Sequence, residues 1–407
     1  MRRIRDMPKI QPSEFAARLG SLQRIIAREG LDIFIVSCKD SIYYLTGAGY
    51  EPLERPFFMI VKPNGAPVLI APMLDKAHME KGANITAENT VSYWEYPAPA
   101  GRGWPEILRQ QVERYTAIGV EPGLTMEVHE EIRILKPKTA PLIEELRLIK
   151  SSAEIAMIRR ASDYADRAMS RMLNAAYYGS LAVEGFAETS KVTREMIRDV
   201  SDYDPVNSSV LMAPWAAPRS AQPHSIPAFS DPLKEGPHVA LVLTRVNGYS
   251  AEVERTFFTA VPDSWSVAAF KAMQEARRRM FAMIRPGQSC HDIDASVNRF
   301  LAEEGFSGDE VRLHRTGHGF GLGAHEAPWI AEGSTHVLAK NMVISNEPGI
   351  YRSGVGGVRH SDTVLVTDDG YECLTRSPDS LDALTFASKP GFVQKFRSKL
   401  VRKALNI

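Results

Sequence analysis

The sequence predicts an α/β domain followed by an α+β domain. Three observations lead there: a length of 407 residues, alternating helix and strand signals over the first 150, and a Gly- and His-rich stretch from Val311 to Cys373 with little helical periodicity. At roughly 100–200 residues per domain the length suits two or three units. The predicted divisions are 1–149, 150–387 and a basic tail over 388–407.

In the first domain, Ser13 precedes Phe15, Leu19, Leu22, Ile25 and Ile26 at helical spacing, and Gly30 ends the pattern. Ile33-Phe34-Ile35-Val36 reads as a buried strand. Phe57 to Val61 and Pro67 to Ile70 flank the turn Pro63-Asn64-Gly65 and read as a hairpin. Trp104 to Val112 reads as a helix and Ala117 to Val120 as a further strand, which completes an α/β layer.

The second domain opens on Ser151-Ser152-Ala153-Glu154, a capping box, with Ile155, Ile158, Met169 and Met172 on one helical face. A helix is expected over 182–199. The Pro-, Ser- and Ala-rich segment from Pro205 to Pro237 is too long for a plain connection, so it should hold short strands or functional residues. Val239 to Leu243 and Glu252 to Thr259 read as strands about Asn247-Gly248. Trp265 to Ile284 and Cys290 to Glu304 read as helices. The tail carries six Lys/Arg and reads as a solvated or partner-packing helix.

Composition narrows the function. Lys+Arg and Asp+Glu are both 49, so there is no basic excess of the kind that coats nucleic acid. Cys38, Cys290 and Cys373 lie far apart with no CxxC pair, against a disulfide framework or a cysteine zinc site and in keeping with a cytoplasmic protein. Met1-Arg2-Arg3-Ile4-Arg5-Asp6 leads into no apolar stretch, so no signal peptide is expected. No run of 18 apolar residues suggests a membrane span.

Four segments of the second domain carry chemistry. In Gln222-Pro223-His224-Ser225-Ile226-Pro227, prolines on both sides restrict the backbone that presents the imidazole. In Gly248-Tyr249-Ser250-Ala251-Glu252-Val253-Glu254-Arg255-Thr256, Glu252 and Glu254 share a strand face while Arg255 points away. Adjacent carboxylates raise one another's pKa or require a cation. Thr316 to Glu326 holds His318 and His325 among glycines that allow close backbone approach. Ser345 to Tyr351 ends an apolar run on Glu347, and Gly357 to Asp362 carries Arg359. A carboxylate at the end of a buried strand is a site candidate.

Together and in this order, the segments PHxxP, GY…ERT, GHGxGxxxHE, NEPG and VRxxDTVLVT resemble the "pita-bread" superfamily of methionine aminopeptidase, aminopeptidase P, prolidase and creatinase. The resemblance extends over nearly the whole chain. It implies a C-terminal pita-bread domain, a curved antiparallel sheet flanked by helices, behind a creatinase-type N-terminal domain. It also implies a homodimer with the N-terminal domain near the neighbouring active site.

The peptidases of this superfamily hold two metals with Asp, Asp, His, Glu and Glu. Here the strand Val239 to Leu243 has no acid, Glu252 stands at the second Asp, His318 at the His, Glu347 at the first Glu and Ser361 at the last. Creatinase, which is metal-free, shares the Glu-Arg-Thr of Glu254 to Thr256 and has counterparts of His224 and Glu347. Its Arg-Pro step, whose Arg meets substrate carboxylate across the dimer, matches Arg55-Pro56. The expectation is therefore a creatinase-like hydrolase of a non-peptide C–N bond (amide, amidine or guanidine) in a small cationic or zwitterionic molecule. His224, Glu254, Glu347 and His318 would be catalytic. Glu252, His325, Arg359, Arg55 and Tyr249 would bind substrate. No cofactor is expected, or at most one divalent metal on Glu252, His318 and Glu347. The alternatives are a metal-dependent Xaa-Pro aminopeptidase or prolidase, a lyase on an ammonium or sulfonium compound, and a non-catalytic binder. Neither nucleic acid nor membrane is expected as a partner.

Overall fold

The computed structural model describes residues 9–95, 97–386 and 390–406. The opening stretch Met1 to Asp6 and the first tail residues, Ser388 and Lys389, lie outside them. Among the described residues no helix is long and apolar enough to cross a membrane. The chain divides into two compact units, Lys9–Leu148 and the residues from Ile149 onward.

The first unit is built on a six-stranded sheet in the order Thr90–Tyr93, Val68–Pro72, Phe58–Val61, Ile33–Val36, Ile118–Val120, Lys138–Thr139. The Phe58–Val61 and Val68–Pro72 strands form the expected antiparallel pair, while Ile33–Val36 runs parallel to Ile118–Val120. Ile33, Ile35, Phe58, Ile60 and Ile70 meet Trp104, Leu108 and Val112 of the helix Trp104–Val112 in one core. The helix Pro12–Arg28 turns Leu19, Leu22 and Ile26 inward.

The second unit begins with the 24-residue helix Ser152–Ala175, whose capping box joins Ser151 and Glu154. Its sheet runs Glu326–Ile330, Gly317–Gly319, Val343–Ser345, Ser361–Val366, Tyr249–Phe257, His238–Val246, Ser209–Trp215, with Tyr371–Cys373 also on Ser361–Val366. Every pairing in it is antiparallel. With helices packed on it, this is the expected pita-bread arrangement. Asn247 and Gly248 both have positive φ, 46° and 91°, the conformation of a type I′ hairpin turn. That turn sets His238–Val246 against Tyr249–Phe257 in a continuous register.

The register sorts side chains by face. Thr244 donates to Ala161 O and Tyr249 to Glu154 Oε1, so this face lies under the helix Ser152–Ala175. Glu252 and Glu254 take the opposite face. A second helical pair, Ser264–Met283 and Cys290–Glu303, packs together elsewhere on the unit.

Two elements differ from expectation. The helix expected over 182–199 is two helices, Ala182–Phe186 and Thr189–Asp199. Thr189 Oγ1 takes the Phe186 carbonyl (2.7 Å), a local alternative to the helical bond. The long segment from Pro205 to Pro237 holds the strand Ser209–Trp215 and a 3₁₀ turn, Arg219–Ala221. The tail forms a helix, Phe392–Leu405, tied down by Arg402 on Glu184 (2.9 Å) and on Gly179 O (3.0 Å).

Candidate metal centre

Strand alternation brings Glu252 and Glu254 to one face, and both are buried, 4% and 2% exposed. Thr363 on the neighbouring strand fixes the first of them: its hydroxyl accepts from Glu252 N–H (2.9 Å) and donates to Glu252 O (2.9 Å). Ser361 stands opposite Glu254.

The Gly-rich strand approaches closely because it lacks side chains. A Cβ on Gly317 would stand 2.5 Å from Ser345 O, and one on Gly319 would collide with the Ala327 carbonyl. Between these glycines, His318 N–H donates to Ser345 Oγ (2.8 Å) and its Nδ1 donates to Gly319 O (3.1 Å). That leaves Nε2 pointing at Glu347 Oε1, 3.3 Å away. Glu347 is held through its own N–H on Thr316 O (2.9 Å). His325 stacks on His318 with ring centroids 3.8 Å apart.

The charges are balanced within the cluster. Burial, then the charges of Glu254 and Glu347, push the Glu252 carboxyl up to about 8. Burial also raises Glu254, against the pull of Arg359. Arg359 bonds Glu254 Oε1 through Nη2 (2.6 Å) and pairs with Oε2 through Nε. Burial opposes both charges of the His318–Glu347 pair. Their mutual attraction wins, raising His318 and lowering Glu347. His325 is pulled down to about 4 by burial and then by the charge on His318, so it is neutral near pH 7.

Two residues that sequence reasoning passed over carry Arg359. Its Nη1 donates to the Tyr351 hydroxyl oxygen (3.1 Å), and that hydroxyl donates to His314 Nε2 (2.7 Å). His314 Nδ1 donates to Arg315 O (2.8 Å), which fixes this tautomer. The available signal was period two in Gly349-Ile350-Tyr351, which puts Tyr351 on the Glu347 side of the chain.

The remaining expected residues are placed less centrally. His224 is exposed on the turn after Arg219–Ala221. Tyr249 does not line the site: it lies on the helix side of the strand, bonded to Glu154. Its odd-numbered position puts it opposite Glu252. Arg55 belongs to the first unit, where it bonds Glu95 (2.5 Å).

Two triads of donors converge here, Glu252 with His318 and His325, and Glu252 with Glu254 and Glu347, each with its ligand atoms within 4.8 Å of one another. Glu252 Oε1 is buried without a hydrogen-bond partner, and His318 Nε2 has none of good geometry. A buried carboxylate oxygen without a partner, beside an imidazole that becomes a ligand once its Nε2 proton is displaced, suits a divalent cation. Residues 156–368 match metallopeptidase family M24, and residues 18–149 match the creatinase/prolidase N-terminal domain. The chain belongs to metallopeptidase family M24.

Proteins similar to this chain include the probable dipeptidase PepE of Mycobacterium tuberculosis, 28% identical over 379 residues, covering 90% of this chain and 96% of that protein. An uncharacterized peptidase of Staphylococcus aureus is 29% identical, covering 82% of this chain and 92% of its own. Among solved structures, dipeptidase PepE from Mycobacterium ulcerans superposes with a TM-score of 0.78 at 23% identity, over 93% of this chain and 100% of that one. Prolidase from Thermococcus sibiricus gives 0.76 at 25% identity, over 90% and 98%.

These findings correct two expectations. The chain is not a creatinase-like hydrolase of a non-peptide C–N bond, because it falls in a metallopeptidase family and the proteins similar to it are named as peptidases. The expectation of no cofactor, or of one metal at most, fails with it. It counted lost carboxylates at Ser361 and at Val239 to Leu243. It did not count the donors that Glu254 and His325 bring to the same space, which let two triads share Glu252.

Proposed function

We propose that this chain is a metal-dependent hydrolase of short peptides, a dipeptidase or prolidase in its activity. The observation that carries the reading is the pair of donor triads sharing Glu252. The names of its relatives support the substrate class: probable dipeptidase PepE, and, among solved folds, an Xaa-Pro dipeptidase from Bacillus anthracis. In this reading Glu252, Glu254, His318, His325 and Glu347 hold divalent metal. Bound metal supplies Lewis acidity toward the scissile peptide carbonyl.

The protein's own groups do the rest. Arg359 opposes the neutralising effect of burial on Glu254, and His318, which holds Glu347 ionised, would give up its Nε2 proton to become a ligand. His325, neutral near pH 7, offers a lone pair rather than a competing charge. We assign His224, exposed on its turn, the role of bonding a bound peptide. The expected homodimer, with Arg55 serving a neighbouring site, stands as a further proposal that sedimentation of wild type and R55A tests.

The experiment is direct. Chelated protein is reloaded with Mn²⁺, Co²⁺ or Zn²⁺ and assayed on Xaa-Pro and other dipeptides. Hydrolysis that appears on reloading and vanishes on chelation supports the reading. Full activity in chelated protein shown by elemental analysis to be metal-free would overturn it.

A further inference from the structure

The strand beside the carboxylates is apolar, and the register says where its side chains stand. Leu243 lies directly opposite Glu252, Leu241 opposite Glu254, and Leu211 on the next strand opposite Leu243. Directly opposed residues of antiparallel strands share a face, with Cβ atoms roughly 5 Å apart. These leucines therefore share the face of the donor cluster, away from the helix Ser152–Ala175.

The two faces of these strands differ in burial. Met212, Ala240, Val242 and Val246, on the helix side of the same two strands, are all fully buried. Leu241 and Leu243 are only half-buried, and Leu211 is 46% exposed. A single exposed leucine needs no explanation, but Leu211 adjoins the half-buried Leu243 and Leu241 in register, and together the three form one apolar patch. This patch is continuous with the candidate metal ligands.

We propose that Leu211, Leu241 and Leu243 form the wall of a side-chain pocket, and that the substrate is a short peptide with a large apolar side chain held against that wall. The inference rests on the peptidase reading above. The apolar wall desolvates the adjoining carboxylates as well, and burial of the ligand's side chain completes that desolvation. A polar side chain there would lose water without gaining a partner, since no described residue of the three offers a donor or acceptor.

The test uses the full chain reloaded with Mn²⁺ and two dipeptide series, Xaa-Ala and Ala-Xaa, with Xaa as Leu or Ser. The expected result is a kcat/KM ratio, Leu over Ser, of about 10 or more in one series. L243N and, separately, L211S should each lower that ratio several-fold. A ratio within about twofold of unity in both series, or one that neither variant changes, overturns the wall. L211S sits on an exposed edge position and guards against a folding defect in L243N.

If no dipeptide is hydrolysed, the peptidase reading fails, and the wall is judged separately by calorimetry. Free leucine binding tighter than serine, with the difference erased by L243N, supports it. Equal binding overturns it.

Discussion

Arg359 grips both oxygens of Glu254, while Tyr351 and His314 brace the guanidinium from behind. All of these groups but His314 are nearly inaccessible to solvent. A planar fork on a carboxylate fixes position as well as charge.

Removing Arg359 leaves Glu254 as an uncompensated buried charge. R359M is expected to lose about 3–5 kcal/mol of stability in urea unfolding. R359M/E254Q should recover much of that loss, since both charges go. A double variant no more stable than R359M would mean that the pair does not set the cost.

Glu252 is the carboxylate shared by both donor triads. E252Q keeps the side chain's size and removes its charge. Mn²⁺ affinity, read by calorimetry on chelated protein, should fall by about 10²-fold or more, with activity falling alongside. Unchanged affinity would remove Glu252 from the ligand set.

Thr363 bonds both backbone groups of Glu252. T363V is nearly isosteric and leaves those groups unpaired in a buried place. A loss of about 1–3 kcal/mol is expected in chemical denaturation, since each orphaned group carries a desolvation penalty. T363S keeps the hydroxyl and should retain most of the stability.

His238 is a pH sensor of stability outside the site. Its Nδ1 accepts from Ala217 N–H (2.9 Å) and its Nε2 faces Lys234 O (3.0 Å), so the buried ring is neutral. Burial lowers it from 6.5 to about 4. The unfolded chain therefore takes up the proton first. Stability attributable to His238 is complete above pH 6.5, falls as pH drops from 6.5 to about 4, and is constant below. At about 1.4 kcal/mol per unit, the loss is about 3 kcal/mol. Comparing wild type with H238Q by denaturation at pH 7.5, 5.5 and 4.5 should show a steeper acid loss in wild type. Parallel curves would remove His238 as its source.

Local patterns made much of the architecture legible. Asn247-Gly248 announced its hairpin because only a few residues tolerate both positive φ angles. Ser151 and Glu154 announced the long helix through a bond that the structure contains. Period two alone puts Glu252 and Glu254 on one strand face. The chemistry was less legible. Comparing ligand positions one by one treated Ser361 and the leucine strand as lost charge. Strand packing brings Glu254 and His325, which are 71 positions apart, around the same residue, Glu252. The Arg359–Tyr351–His314 chain was equally hidden, because it exists only once Gly349–Arg352 pairs with Gly356–Arg359.

The turn at Asn247-Gly248 also decides which wall of the sheet is reactive. One residue inserted there would slip the pairing of Tyr249–Phe257 by a single step. Ala251 and Val253 would then face the histidines, and Glu252 and Glu254 would be driven beneath the helix Ser152–Ala175. Two residues with no donor atom in the centre thus act as its phase marker.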